Sequence, residues 1–386
     1  MNSTLEQPLR QTPQQSGQRL QSLDVLRGLT VAVMILVNNA GDGAASYAQL
    51  RHSVWNGCTV TDVVFPSFLF IVGVSIALAL GARLDRGVSP QSNLPQIGKR
   101  SVLIFVIGLL LNALPFFHLA ELRYCGVMQR IALCYALAAV VFLFGRVRAS
   151  VAACACALIG YWWIMLHMRV PGIGMPGVDV PILDRFGNMA SWLDRLLIPQ
   201  AHLYHHTVYD PEGLLRTLPA VGTTLLGVMA GAWLRTNRTV GRKAAVLGAV
   251  GLFLLVGGLL WSYDFPLNKR LWTSSFVLFT AGITAMLFAL FYWIIDGPWQ
   301  WRRGLTPSLV FGTNALSAYV FSEVLAIALG AIVLRSGRNL QQLLFALLPQ
   351  WMGSPAFVSL CYSVLFVGVC YVPLRELYKR GIIIKL

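Results

Sequence analysis

The chain has 386 residues, of which 56% are hydrophobic and only 12% charged, and its mean hydropathy is +0.66. A soluble domain carries roughly twice that charge, so an ordinary water-soluble globule is excluded. The apolar runs are continuous rather than alternating, which excludes a membrane barrel. The net charge of +15 would suit a nucleic-acid binder, but Lys and Arg fall in short clusters between the apolar runs, the pattern of membrane topology. The expected partner is the lipid bilayer, and no nucleic acid is expected.

In chain order, residues 1–19 are polar and Gln-rich and lack the charged-then-apolar order of a cleavable signal. They are expected to form a disordered cytoplasmic tail, with 20–386 a single all-α transmembrane domain. Apolar runs fall near 23–41, 61–82, 101–117, 126–145, 150–168, 216–234, 244–262, 273–295, 307–334 and 356–374. Each is long enough to span a hydrocarbon core of about 30 Å, giving about ten transmembrane helices. With the N-terminus inside, the connections 83–100, 146–149, 235–243 and 296–304 and the tail 375–386 are cytoplasmic, and they hold most of the basic residues. The longest loop, 169–215, is then external and close to neutral. Both termini are expected in the cytoplasm of a cell whose bacterial inner membrane holds the protein.

Ionisable and amide side chains within or beside the spans are costly unless paired or in contact with water, so each is a functional candidate. Asp24 and Arg27 share a face at the start of the first helix, as an interfacial ion pair would. Asn38 and Asn39 end that helix, where capping roles compete with functional ones. The segment Arg51-His-Ser-Val-Trp-Asn-Gly-Cys-Thr-Val-Thr-Asp-Val-Val-Phe-Pro66 is the densest. In it Asp62 opens the second helix, either as a partner of the helix dipole or as the group that orients His52 in an acyl-transfer pair.

Further along, Arg123 and Arg130 flank Gly126 and Gln129; Arg130 lies within the membrane and needs an anion, with an anionic ligand or Glu323 as the candidates. The external loop carries Asp194, Arg195, His202, Tyr204, His205, His206, Asp210 and Glu212. Its three histidines lack the helical frame of a zinc site, so a sugar-facing surface or plain loop packing is the stronger reading. Asn314 and Ser317 share a helix face with small residues, as expected for helix packing or for a ligand groove. The cysteines sit mostly in apolar runs as small hydrophobes. Cys58 and Cys125 could meet on the outer side, but free thiols are the stronger expectation. There is no Gly-rich phosphate loop, no GxSxG elbow and no Asp-rich metal motif, so any CoA-like ligand must lie between helices with its phosphates against arginines.

Ser22-Leu-Asp-Val-Leu-Arg-Gly28, Val37-Asn38 and Arg51 to Pro66 resemble the catalytic region of the heparan-α-glucosaminide N-acetyltransferase family. So do Gly126-Val-Met-Gln-Arg130, Asp194-Arg195 with His202-Leu-Tyr204, Tyr209-Asp-Pro-Glu-Gly213, Leu267-Asn-Lys269 with Leu271-Trp272, and Gly312-Thr-Asn314. The likeness runs in order from about 22 to 320, and the chain is also similar to bacterial NagX-like membrane proteins associated with N-acetylglucosamine use. The resemblance implies transfer of acetyl from cytoplasmic acetyl-CoA to the amine of glucosamine or a related amino sugar. It implies no metal, and a homodimer on family likeness alone.

By that resemblance the active histidine is His52, with Asp62 orienting it and Asn38 donating to the thioester carbonyl. A longer stretch before His52 could move the asparagine role to Asn39. The expected donor site adds Asn39, Trp55, Asn56, Gln129, Arg130 and Asn314; the expected acceptor site adds Asp194, His202, Tyr204, Asp210 and Glu212. The extra luminal N-terminal domain of the lysosomal protein has no counterpart here, which weakens the case for a polymer acceptor. Two rivals keep part of this pattern: a transporter of N-acetylglucosamine or chitin-derived sugars, and an O-acetylase of surface glycans.

Overall fold

A computed structural model describes residues 20–335, 337–349, 351 and 353–384; the tail expected at 1–19 lies outside the described residues. Twelve α-helices follow: α1 (Gln21–Asn38), α2 (Val60–Asp85), α3 (Leu94–Ala113), α4 (Val127–His167), α5 (Met189–Leu197), α6 (Leu214–Leu234), α7 (Val240–Trp261), α8 (Ser274–Phe291), α9 (Thr306–Thr313), α10 (Ala315–Ala331), α11 (Leu340–Ala346) and α12 (Pro355–Lys379). Among the described residues the only β pairing is in isolated bridges. Eight helices are long and apolar enough to cross a bilayer, and α9 with α10, bent by 85° at a break, makes a further span.

The 41-residue α4 would be about twice the length a bilayer needs, and it is two spans. Arg146 has φ +52° and ψ −147°, and the contacts on either side show the chain doubling back. Before the break, Arg130 reaches the Gly213 carbonyl at 3.5 Å; after it, the Tyr161 hydroxyl donates to the Leu271 carbonyl at 2.6 Å. Arg146 itself pairs with Asp85 at 3.2 Å, at the opposite end of α2. With α9 and α10 counted as one broken span, ten crossings result among the described residues. The connection expected over 146–149 is therefore a one-residue reversal, made feasible by Gly145, where a Cβ would lie 2.1 Å from that of Ala149.

Without a hydrophobic drive between helices in lipid, close backbone approach at small residues holds the bundle. A Cβ on Gly73 would lie 1.9 Å from the Thr224 carbonyl, and one on Gly227 2.0 Å from that of Phe70, so α2 and α6 touch backbone to backbone. Gly28 and Gly312 do the same for α1 and α9. The central helices are α2 and α6, each 72% buried, whereas α3 and α7, each at 22%, turn most of their surface outward. At one face Asp85 accepts from both Arg146 and Arg235, tying α2, α4 and α6 together. The basic ends of α2 and α3 lie on this same face.

Candidate active site

At the other face, the loop before α2 folds back onto that helix's first turn. Thr59 and Asp62 form a capping box. One carboxylate oxygen of Asp62 accepts from the backbone N–H groups of Ser53 and Thr59, both at 3.0 Å. The other lies 2.8 Å from His52 Nδ1. A carboxylate can only accept, so Nδ1 carries the proton and Nε2 is left as a lone pair. The Asp62 side chain is fully buried, while that of His52 is 43% exposed, so the pair is anchored inside and open outside.

Lys269, in the loop between α7 and α8, completes this group. Its Nζ lies 3.0 Å from His52 Nδ1 and 3.2 Å from Nε2, and 3.8 Å from the Asp62 carboxylate. Two contacts bring the loops into register. The Gly57 N–H donates to the Leu267 carbonyl at 2.7 Å, and the buried Asn268 amide donates to Asn56 Oδ1 at 3.1 Å. Gly57 has φ +109°, a conformation open to glycine and strained for other residues. The sequence reading placed Lys269 within a family-like block without giving it a role. The available signal was its charge: a lysine on the outer side runs against the positive-inside bias.

Burial pushes the His52 imidazole below its ordinary value of 6.5, with Lys269 and Arg270 adding to the drop and the Asp62 hydrogen bond opposing it. Burial also lowers the Lys269 ammonium, against the pull of Asp62 and Glu212. The Cys58 thiol nearby is pushed up to about 12 by burial and by Asp62, so it is no nucleophile at neutral pH.

A second polar group lies alongside. Arg123 bonds Asp210 through two nitrogens, at 2.8 and 2.6 Å, and Glu212 at 2.5 Å, and its guanidinium covers the Tyr204 ring at 4.6 Å. The Glu212 carboxyl would be raised by burial, but Arg123 and Arg130 hold it below the usual carboxylate range. Asp194 is fully buried in an ion pair with the equally buried Arg216, and also accepts the Asp210 and Leu214 N–H groups. This pair shapes the turn that carries Asp210 and Glu212.

Other expected site residues are placed as follows. Trp55 donates to the Leu183 carbonyl at 2.9 Å and packs edge-on against Tyr209, roofing the outer site. His202 contacts the Leu122 carbonyl at 2.7 Å and stacks on Tyr124, whereas His205 meets Tyr204. Among the described residues no three such side chains converge on a metal site. Asn39 caps its own helix, donating to the Ile35 carbonyl at 2.8 Å. Asn38 and Tyr319 lie beside Glu323 of α10. Among the described residues Glu323, a candidate counter-charge for Arg130, forms no ion pair with it; the Arg130 guanidinium lies over Trp272 at 4.9 Å. Arg130 Nε and Nη1 and the buried Gln129 Nε2 have no hydrogen-bond partner. The Asp24–Arg27 pair forms at 2.9 Å, and the seven cysteines, Cys58 and Cys125 included, are free thiols.

From the basic face a cavity of about 670 Å³ runs inward between α1, α2, α3 and the α9–α10 break. Arg83, Lys99 and Arg100 line it at the basic face, with Arg100 over the Tyr135 ring at 4.9 Å, and Phe68 and Ile131 line it towards α2 and α4. Phe68 lies about 1.7 turns, about 9 Å, along α2 from Asp62. Between them stand Phe65 and Trp272, in edge contact at 5.2 Å, with Arg130 beside Trp272. Asn314, at the break, does not face the cavity with a free amide. It donates to the Ile382 carbonyl at 3.0 Å and accepts from the Ile384 N–H at 2.9 Å, holding the segment after α12 as one cavity wall.

The molecule is thus a multi-pass membrane protein with a histidine–carboxylate pair at one face and a basic-mouthed cavity rising from the other. Residues 19–258 match the family model described as heparan-alpha-glucosaminide N-acetyltransferase, catalytic. The chain is 31% identical over 369 residues to the heparan-alpha-glucosaminide N-acetyltransferase of Mus musculus, covering 82% of this chain and 55% of that protein. It is 31% identical over 357 residues to the Homo sapiens protein of the same name, covering 79% and 53%. This chain belongs to the heparan-alpha-glucosaminide N-acetyltransferase family, and it spans about half the length of the curated relatives it matches.

Proposed function

We propose that the chain is a transmembrane acetyltransferase that moves acetyl from cytoplasmic acetyl-CoA to the amine of glucosamine or a related amino sugar on the outer side of a bacterial inner membrane. One observation carries the reading: Phe68, which lines the basic-mouthed cavity, lies about 9 Å along α2 from the Asp62 that holds His52. The cavity suits a long, thin donor, with Arg83, Lys99 and Arg100 meeting its phosphates and the apolar interior taking its arm. The orientation, basic face inward, follows from the charge bias along the chain.

In this reading Asp62 holds the imidazole in the Nδ1–H tautomer, and His52 Nε2 takes the proton from the attacking amine. Glu212, held by Arg123, would contact a sugar hydroxyl near that amine, and the buried Asp210 fixes Arg123 behind it. Purified protein tests the reading: acetyl-CoA should bind with micromolar-range affinity, and glucosamine should then release free CoA and form the N-acetyl sugar. Binding of the sugar without any acetyl-CoA-dependent product would overturn it in favour of transport, and acetylation at oxygen would redirect it to glycan O-acetylation.

A further inference from the structure

We propose that Lys269 is a catalytic residue of this site: its ammonium, against the His52 ring, opposes a second positive charge there and donates to the carbonyl oxygen of the acetyl group during transfer. The inference rests on the acetyl-transfer reading above for its second half only; the first half concerns His52 alone.

A tetrahedral intermediate needs a donor beside the base that takes the amine's proton. Asn38, the donor implied by family likeness, lies beside Glu323 of α10. Lys269 Nζ is the cation within 3.2 Å of His52 Nε2, and its side chain is only 17% exposed, so its charge acts in a weakened dielectric. The zipped loops fix it there through Gly57–Leu267 and Asn56–Asn268. The charged groups facing His52 are Asp62 from α2 and Lys269 and Arg270 from the α7–α8 loop; the Cys58 thiol faces Asp62 and Lys269. Glu212 adds its charge to Lys269 from the loop before α6. Asp62 and Lys269 cancel, leaving a neutral imidazole as the favoured state and a second cation there as the disfavoured one.

The step balances. The amine nitrogen's lone pair forms the C–N bond at the thioester carbonyl, and the C=O π pair moves to oxygen, where a Lys269 N–H donates to it. His52 Nε2 takes the amine proton. The oxyanion then re-forms C=O, the C–S bond breaks with its pair on sulfur, and the thiolate takes the proton back from Nε2. The products are amide and thiol, with His52 and Lys269 unchanged.

Lys269→Gln and Lys269→Arg, with His52→Ala as reference, test this in the full-length protein. The pH profile of diethylpyrocarbonate modification of His52 is read without substrate or donor. Half-maximal reactivity is expected below pH 6.5 in the wild type, to rise by about a pH unit in Lys269→Gln, and to stay near the wild-type value in Lys269→Arg. Acetyl transfer at the alkaline plateau is expected to fall about 10²–10³-fold in Lys269→Gln while donor KM stays within a few-fold, with partial recovery in Lys269→Arg. An unmoved modification profile in a Lys269→Gln protein that still binds acetyl-CoA would overturn the inference. So would an unchanged plateau rate in that variant. If the wild type transfers no acetyl, the functional reading fails by itself, and the modification profile still decides the electrostatic half.

Discussion

Two carboxylates on the outer face, Asp62 and Asp194, are both fully buried and both ionically paired, yet their partners differ. Asp194 faces an arginine as deeply buried as itself and two backbone N–H groups. The two charges neutralise each other and neither side chain reaches solvent. Asp62 uses one oxygen to hold its own loop and the other to hold a histidine whose ring is nearly half exposed. The difference separates scaffold from chemistry: a buried carboxylate serves a reaction when its partner can titrate and can reach a substrate, and serves the fold when its partner can do neither. The sequence reading ranked both as site candidates because burial and partner identity are absent from residue type.

Substitutions at the two sites should therefore fail in different ways. His52→Ala should lower acetyl transfer by at least about 10³-fold, with the protein still monodisperse in detergent. Asp62→Asn should cost about 10²–10³-fold in kcat, because an amide can hold the imidazole in the wrong tautomer. Asp194→Asn should instead destabilise the protein by about 3–5 kcal/mol by leaving Arg216 buried and unpaired, seen as a lower thermal midpoint. The pH profile of whatever remains folded should match the wild type; a shifted profile would move Asp194 into the chemistry. For the wild type, a base must be neutral, so the rate should fall as pH drops through the His52 value, which lies below 6.5.

The inner cavity offers milder tests. Arg83→Ala or Arg100→Ala should raise the donor KM about tenfold, the loss of one charge-assisted contact, with kcat little changed. Ending the chain after Gly381 removes the wall held by Asn314 and should raise that KM by only a few-fold. An effect on kcat as large as that of Asp62→Asn would break the division between a reactive outer site and a binding inner one.

Much of the architecture was legible in the sequence because spans and their polarity are written in runs and charge clusters. His52 and Asp62 were legible because one loop and one helix turn hold both. Three features were not. The reversal in α4 takes a single residue, Arg146, so hydropathy could bound it but not place it. The break at Asn314 sits inside an unbroken apolar run, and its purpose is set by backbone groups at 382 and 384. Lys269 reaches His52 only through a pairing between residues 57 and 267, a long-range register that no local pattern encodes.

The most direct test of the account uses proteoliposomes with the basic face outward, acetyl-CoA outside and glucosamine enclosed. The account predicts free CoA appearing outside in step with N-acetylglucosamine inside, with both lost in His52→Ala. Product formed equally by His52→Ala, or CoA and acetyl sugar appearing on the same side, would contradict it.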